Sequence, residues 1–130
     1  GYRTSVIREK GYLVLGAELM LVPGEKGEIL ARMQELKRRR VEKQPLEYPS
    51  ARSAFMRPEG YFAGKLVQDA GLSGYAVGGA KVSEKHCGFL INAGNATASD
   101  VMELIRQIQA KVKEQFGVQL EPEIQFLGNF

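Results

Sequence analysis

The chain has one cysteine, one histidine and no long apolar run, and each scarcity removes a class of function. A lone Cys87 forms no internal disulfide, which fits a reducing compartment. The single His86 beside it leaves no second His/Cys cluster for a soft metal, so no metal site is expected. Crossing a bilayer takes roughly 20 consecutive apolar residues. None occur, and the first residues lack the layout of a secretory signal. We therefore expect a cytoplasmic protein with no membrane partner. Charge of one sign is also scarce: 18 Lys and Arg face 15 Asp and Glu, a net charge of +3. That balance suits a phosphorylated small molecule as well as nucleic acid and decides nothing alone. There is no internal repeat and no low-complexity tract. A chain of 130 residues is enough for one compact domain that buries about two-thirds of its unfolded surface.

What is present has order. In "YLVLGAELMLV" (12–22), Leu13, Leu15, Ala17, Leu19 and Leu21 share one face at a period of two. Val14, Met20 and Val22 make the other face apolar, so the segment reads as a strand buried on both sides, ended by Pro23-Gly24. So little precedes it that its strand partners are expected to be missing. Residues 25–43 read as a helix with an apolar stripe of Ile29, Leu30, Met33 and Leu36. Its far end carries "KRRR" (37–40), first of all a solvated last turn that complements the helix dipole. Phe62, Leu66, Val67 and Ala70 suggest a short helix stopped by Gly71. "YAVGGAKVSEKHCGFLIN" (75–92) reads as strand-like pieces around a glycine turn, with "GFLIN" the more buried. Thr97 followed by Asp100 resembles a capping box for a helix whose inward stripe runs Val101, Leu104, Ile105, Ile108, Val112, Phe116, with Gly117 as the stop. An extended "VQLEPEIQFLG" follows, interrupted at Pro122. The expected class is α+β, a small mixed or antiparallel sheet with helices packed on it.

Taken singly, the chemical candidates are ordinary. Ser53 has no GxSxG elbow and no base nearby in sequence. His86 is better explained as a structural or surface histidine than as a catalytic one, and Cys87 reads as a small buried residue. Glu121 and Glu123 share a face if extended, which a solvated strand end would also produce. Gly78-Gly79 fits a turn rather than GxGxxG. Read from residues alone, the chain is an α+β domain suited to an anionic ligand, and no further.

Several stretches in one order say more. "GYRTS", "QPLEYPSARSAFMRPEGYFAGKL", "GYAVGGAKVSEKHCGFLINAGNATASDV" and "FGVQLEPEIQFLG" resemble the C-terminal part of the UDP-N-acetylenolpyruvoylglucosamine reductase (MurB) family of peptidoglycan synthesis, in its shorter form. The resemblance implies an FAD enzyme with NADPH as co-substrate. The flavin passes hydride to the enolpyruvyl group of UDP-N-acetylglucosamine enolpyruvate, giving UDP-N-acetylmuramate. It implies that FAD is bound mainly by an N-terminal portion not seen here, and that the chain alone is inactive. Residues 1–22 would be the terminal strand and catalytic-arginine loop of the flavin domain, and 23–130 the UDP-substrate-binding domain.

By the same resemblance, Arg3 is the catalytic arginine, its fork holding the substrate carboxylate bidentately. Glu123 is the catalytic glutamate, able to meet a growing enolate with a preplaced donor. Ser53 is the proton donor to the second carbon of the enolpyruvyl group. Tyr2, Lys43, Arg57 and His86 resemble substrate contacts, Lys43 and Arg57 being natural diphosphate partners. Three positions depart from the family. Arg52 stands where glycine usually precedes the serine, Met56 where lysine is common, and Gln125 where a basic residue often follows the glutamate. If position 52 requires positive φ, an arginine there is strained. Two alternatives remain at this point: a domain that binds UDP-sugars without catalysis, and a small nucleic-acid-binding module using residues 37–40. The small net charge and the lack of an aromatic base-stacking motif weigh against the second, so no nucleic-acid partner is expected.

Overall fold

The longest helix begins where its sequence signal sits. The Thr97 side chain accepts from the Asp100 N–H at 3.1 Å, and the Asp100 carboxylate accepts from the Thr97 N–H at 2.9 Å, a closed capping box. In this computed structural model, which describes residues 4–128, the helix runs Ala98–Phe116 and stops at Gly117, whose φ of 68° suits glycine. The chain order is α1 (Val6–Lys10), α2 (Lys26–Lys43), β1 (Ser50–Ser53), α3 (Ala63–Asp69), β2 (Ala76–Val77), β3 (Ala80–Val82), β4 (Phe89–Asn92) and α4 (Ala98–Phe116). Two compact units divide at Met33/Gln34, within the residues of α2.

In the unit from Gln34 onward, the sheet order is β1-β4-β3-β2 and every pairing is antiparallel. β2 and β3 form a hairpin across Gly78-Gly79, with Val77 opposite Ala80. A side chain on Gly79 would overlap the Gly94 carbonyl and the Ala96 backbone, so the turn is sealed against the loop leading into α4. α4 packs on β2 and β3 and against α3. The resulting core joins Leu104, Ile105, Ile108 and Val112 of α4 to Val67 of α3, Val82 and Leu90 of the sheet, and Leu120 beyond α4. Each such side chain contributes about 1.5–3 kcal/mol by leaving water. The α+β class follows directly from this arrangement.

The N-terminal unit departs from the sequence reading. Its described residues contain α1, capped by Gly11 in a left-handed conformation, and the start of α2. Residues 12–25 form neither helix nor strand, and Leu13, Leu15, Leu19, Met20, Leu21 and Val22 are exposed. The expected doubly buried strand is therefore not formed. Alternating apolar residues favour a strand, but a strand exists only where a neighbour takes up its N–H and C=O groups. α2 forms as expected, yet Ile29, Leu30, Met33 and Leu36 are all exposed and no residue of the helix is buried. Among the described residues, no helix is long and apolar enough to cross a membrane.

Candidate functional site

Ser53 is the last residue of β1. β1 is an edge strand whose residues are mostly exposed, so no apolar alternation marks it. Backbone bonds hold it on both sides: Asn92 N–H donates to Pro49 O at 2.8 Å, and Ala54 N–H donates to Gly88 O at 3.0 Å. Between these anchors the register slips. Ser50 pairs with Ile91 and Ser53 with Phe89, so β1 carries one residue more than β4. The extra residue makes a β-bulge, and Arg52 within it has φ 60°. The position where the family usually has glycine thus does require the left-handed conformation. An L-residue there costs on the order of 1–2 kcal/mol. Ser53 itself is half-buried, its hydroxyl donating to Phe55 O at 3.5 Å.

The segment after α4 returns to this point. Phe55 and Pro122 form an antiparallel bridge, Met56 N–H donates to Glu121 O at 2.8 Å, and Glu123 N–H donates to Ala54 O at 2.8 Å. Glu123, half-buried, is therefore bonded through its backbone to the residue after Ser53. α4 steadies the return: Gln109 Nε2 donates to Leu120 O at 2.8 Å. Two residues 70 positions apart in the chain become neighbours through main-chain pairing that leaves no periodic trace.

His86 sits on the exposed turn between β3 and β4, at the same end of the sheet. Its Nδ1 accepts the Gly88 N–H at 3.1 Å, and its ring meets Phe89 edge-on at 4.8 Å. Phe89 is the register partner of Ser53. A side chain on Gly88 would strike the imidazole, and one on Gly64 would press on the Gly88 N at 3.0 Å, so these glycines let α3 approach the turn. Arg57, exposed, donates from Nε to Tyr61 O at 3.2 Å and lies over the Phe62 ring at 4.0 Å. With Met56, Pro58, Glu59, Gln119 and Glu121 it lines an open cleft of about 280 Å³ beside the Ala54–Glu123 pairing. Met56, one of the three departures, thus lines this cleft.

The other candidates divide. Lys43 is the exposed last residue of α2. Tyr2 and Arg3 lie outside the described residues. In the basic run, Arg38 pairs with Glu35 and Glu42, and Arg39 with Glu35. The hydrogen bonds from Arg39 and then Arg38 hold the Glu35 carboxyl below its ordinary value, so part of the run is neutralised within its own helix. A second cleft, of about 270 Å³, is lined by Tyr48, Lys81, Glu84, Lys85 and neighbours. Its lysines are also matched, Lys81 to Glu84 at 2.7 Å and Lys85 to Glu47 at 3.6 Å. The sequence reading missed Ser50, whose hydroxyl accepts the Arg52 N–H at 2.8 Å, and Gln109. A serine two residues ahead of a backbone donor is a known local signal, so Ser50 was findable.

An edge strand bulged beside a returning acidic segment, with α3 and α4 behind, defines an α+β domain in which the Ser53, Glu123 and His86 segments meet at one end of the sheet. Residues 44–127 match the family model described as UDP-N-acetylenolpyruvoylglucosamine reductase, C-terminal domain. Proteins named UDP-N-acetylenolpyruvoylglucosamine reductase are 61% identical over 129 residues in Agathobacter rectalis and 60% identical over 127 residues in Lachnoclostridium phytofermentans. These alignments cover 99% and 98% of this chain, and 41% of each relative's length. The crystal structure of the reductase (MurB) from Thermus caldophilus superposes with a TM-score of 0.62 at 40% identity, over 78% of this chain and 35% of that one. The chain belongs to the UDP-N-acetylenolpyruvoylglucosamine reductase family and contains its C-terminal domain. It spans about two-fifths of the length of the curated relatives it matches.

Proposed function

We propose that this chain supplies the substrate-binding domain of a cytoplasmic, FAD-dependent oxidoreductase that acts with NADPH in peptidoglycan synthesis. Its substrate is UDP-N-acetylglucosamine enolpyruvate and its product UDP-N-acetylmuramate. The observation that carries this reading is the backbone pairing of Ala54 with Glu123, which joins the serine and glutamate motifs at one end of the sheet.

The glycine pair 78–79 is a hairpin turn closed against the loop before α4 and offers no cradle for a dinucleotide pyrophosphate. The reading therefore assigns the flavin, as the source of the hydride, to another portion of the enzyme. Residues 1–22 would belong to that portion, and the exposed side chains of Leu13, Leu15, Leu19, Met20, Leu21 and Val22 support the assignment. Reduction of the enolpyruvyl double bond adds a hydride to the methylene carbon and a proton to the carbon bearing the carboxylate. In this chain Arg3 holds the carboxylate, Glu123 offers a hydrogen bond to the charge that develops beside it, and Ser53 delivers the proton from Oγ. Arg57 and Lys43 neutralise the diphosphate, and Tyr2 and His86 help seat the nucleotide. Substrate-dependent NADPH oxidation by the full-length flavoprotein containing this sequence tests the reading. Turnover with appearance of the muramate is expected, and NADPH oxidation indifferent to the enolpyruvyl substrate would overturn it.

One observation favours a second reading. Arg52 stands at a left-handed position where the family usually has glycine, directly before Ser53, and that departure suits a domain that binds UDP-sugars without catalysis. Substrate binding with no flavin reoxidation would select it.

A further inference from the structure

We propose that Ser50 is a positioning residue for Ser53, its hydroxyl locking the bulge that aims the serine. This rests on Ser53 as the proton donor. Pro49 and Ala54 are pinned to β4 by hydrogen bonds, so the extra residue between them must be absorbed within residues 50–53. Arg52 absorbs it at φ 60°. A bulge takes a backbone N–H out of the ladder, and here the Arg52 N–H is taken up by Ser50 Oγ at 2.8 Å. Glycine at position 52 would hold the conformation unaided, whereas an arginine is drawn back toward extended backbone. The hydroxyl resists that pull. If it is lost, the anchors still force the extra residue into residues 50–53, but its place there is no longer fixed at Arg52 and Ser53 Oγ loses its set position. The consequence for chemistry is large, because a displacement of about 1 Å at a reacting group costs on the order of 100-fold in rate.

The test uses the full-length flavoprotein with its enolpyruvyl substrate. Ser50→Ala is expected to lower kcat by roughly 10- to 100-fold with KM little changed. It should also raise the solvent deuterium isotope effect on flavin reoxidation, because a misplaced donor slows proton delivery. Ser50→Thr keeps the hydroxyl and should recover most of the rate. Adding Arg52→Gly to Ser50→Ala should do so as well, since glycine holds the bulge without the lock. Unchanged kcat in Ser50→Ala, or a loss that neither Thr nor the paired glycine restores, overturns the proposal. Amide exchange covers the case in which Ser50→Ala fails to fold. An Arg52 amide unprotected in the unaltered protein would contradict the lock directly. Ser53→Ala separates the two ideas: if it is harmless the proton-donor reading falls, and if it is crippling while Ser50→Ala is harmless only the lock falls.

Discussion

Leu15 and Met20 are 94% and 99% exposed, while Ile108 and Leu120 are fully buried, although the first two sit in the more apolar stretch of chain. The N-terminal unit and the unit from Gln34 onward therefore differ in partners, and hydrophobicity alone does not decide burial. In the second unit, β4 has β3 on one edge and β1 on the other, and α4 packs against β2 and β3. Residues 12–22 have apolar faces of the same quality but no ladder among the described residues. Apolar periodicity states what a segment needs, and the rest of the polypeptide determines whether the need is met.

The largest expected effect breaks this comparison most sharply. In the chain as given, Ile108→Ala should destabilise the second unit by about 2–5 kcal/mol through the cavity it leaves. Leu15→Ala should change unfolding by no more than about 0.5 kcal/mol. Denaturant unfolding of both variants checks this, and equal effects would erase the distinction. Smaller in size, Arg52→Gly should stabilise the second unit by about 1 kcal/mol, since it relieves the left-handed strain in the bulge. A destabilised variant would mean that the arginine side chain contributes more than its backbone costs.

The smallest effect is a pH dependence. The Thr97 N–H, then the Thr97 hydroxyl and the Gly79 N–H, hold the Asp100 carboxyl below its ordinary value of 3.8. With the folded value depressed, the stabilisation is complete above 3.8 and is lost as pH falls through the folded value. Stability measured between pH 5 and about 2.5 should therefore fall, and Asp100→Asn should flatten that part of the acid limb. An unchanged limb would remove this carboxylate from the account.

Much of the second unit was legible because its signals are local. Thr97 with Asp100, Gly117, Gly71 and the Gly78-Gly79 pair each fix a boundary through short-range geometry. β1 was not legible: "SARS" has no apolar face, and main-chain bonds hold it as an edge. Residues 12–22 were misread for the opposite reason, a strong pattern without a partner. The Ser53–Glu123 neighbourhood has no local cause either, since the bridge of Phe55 to Pro122 depends on α4 returning the chain. Only the family resemblance pointed to those residues. Arg52 was legible in part on physical grounds, since a place that usually holds glycine suits positive φ, and its φ is 60°.

The most direct measurement is flavin reoxidation by the enolpyruvyl substrate in the full-length protein carrying Ser53→Ala, after prior reduction by NADPH. The account predicts unimpaired flavin reduction and a reoxidation rate lowered by about 10²–10⁴-fold. Reoxidation at the unaltered rate would show that the proton comes from elsewhere and that the bulge at Arg52 aims nothing.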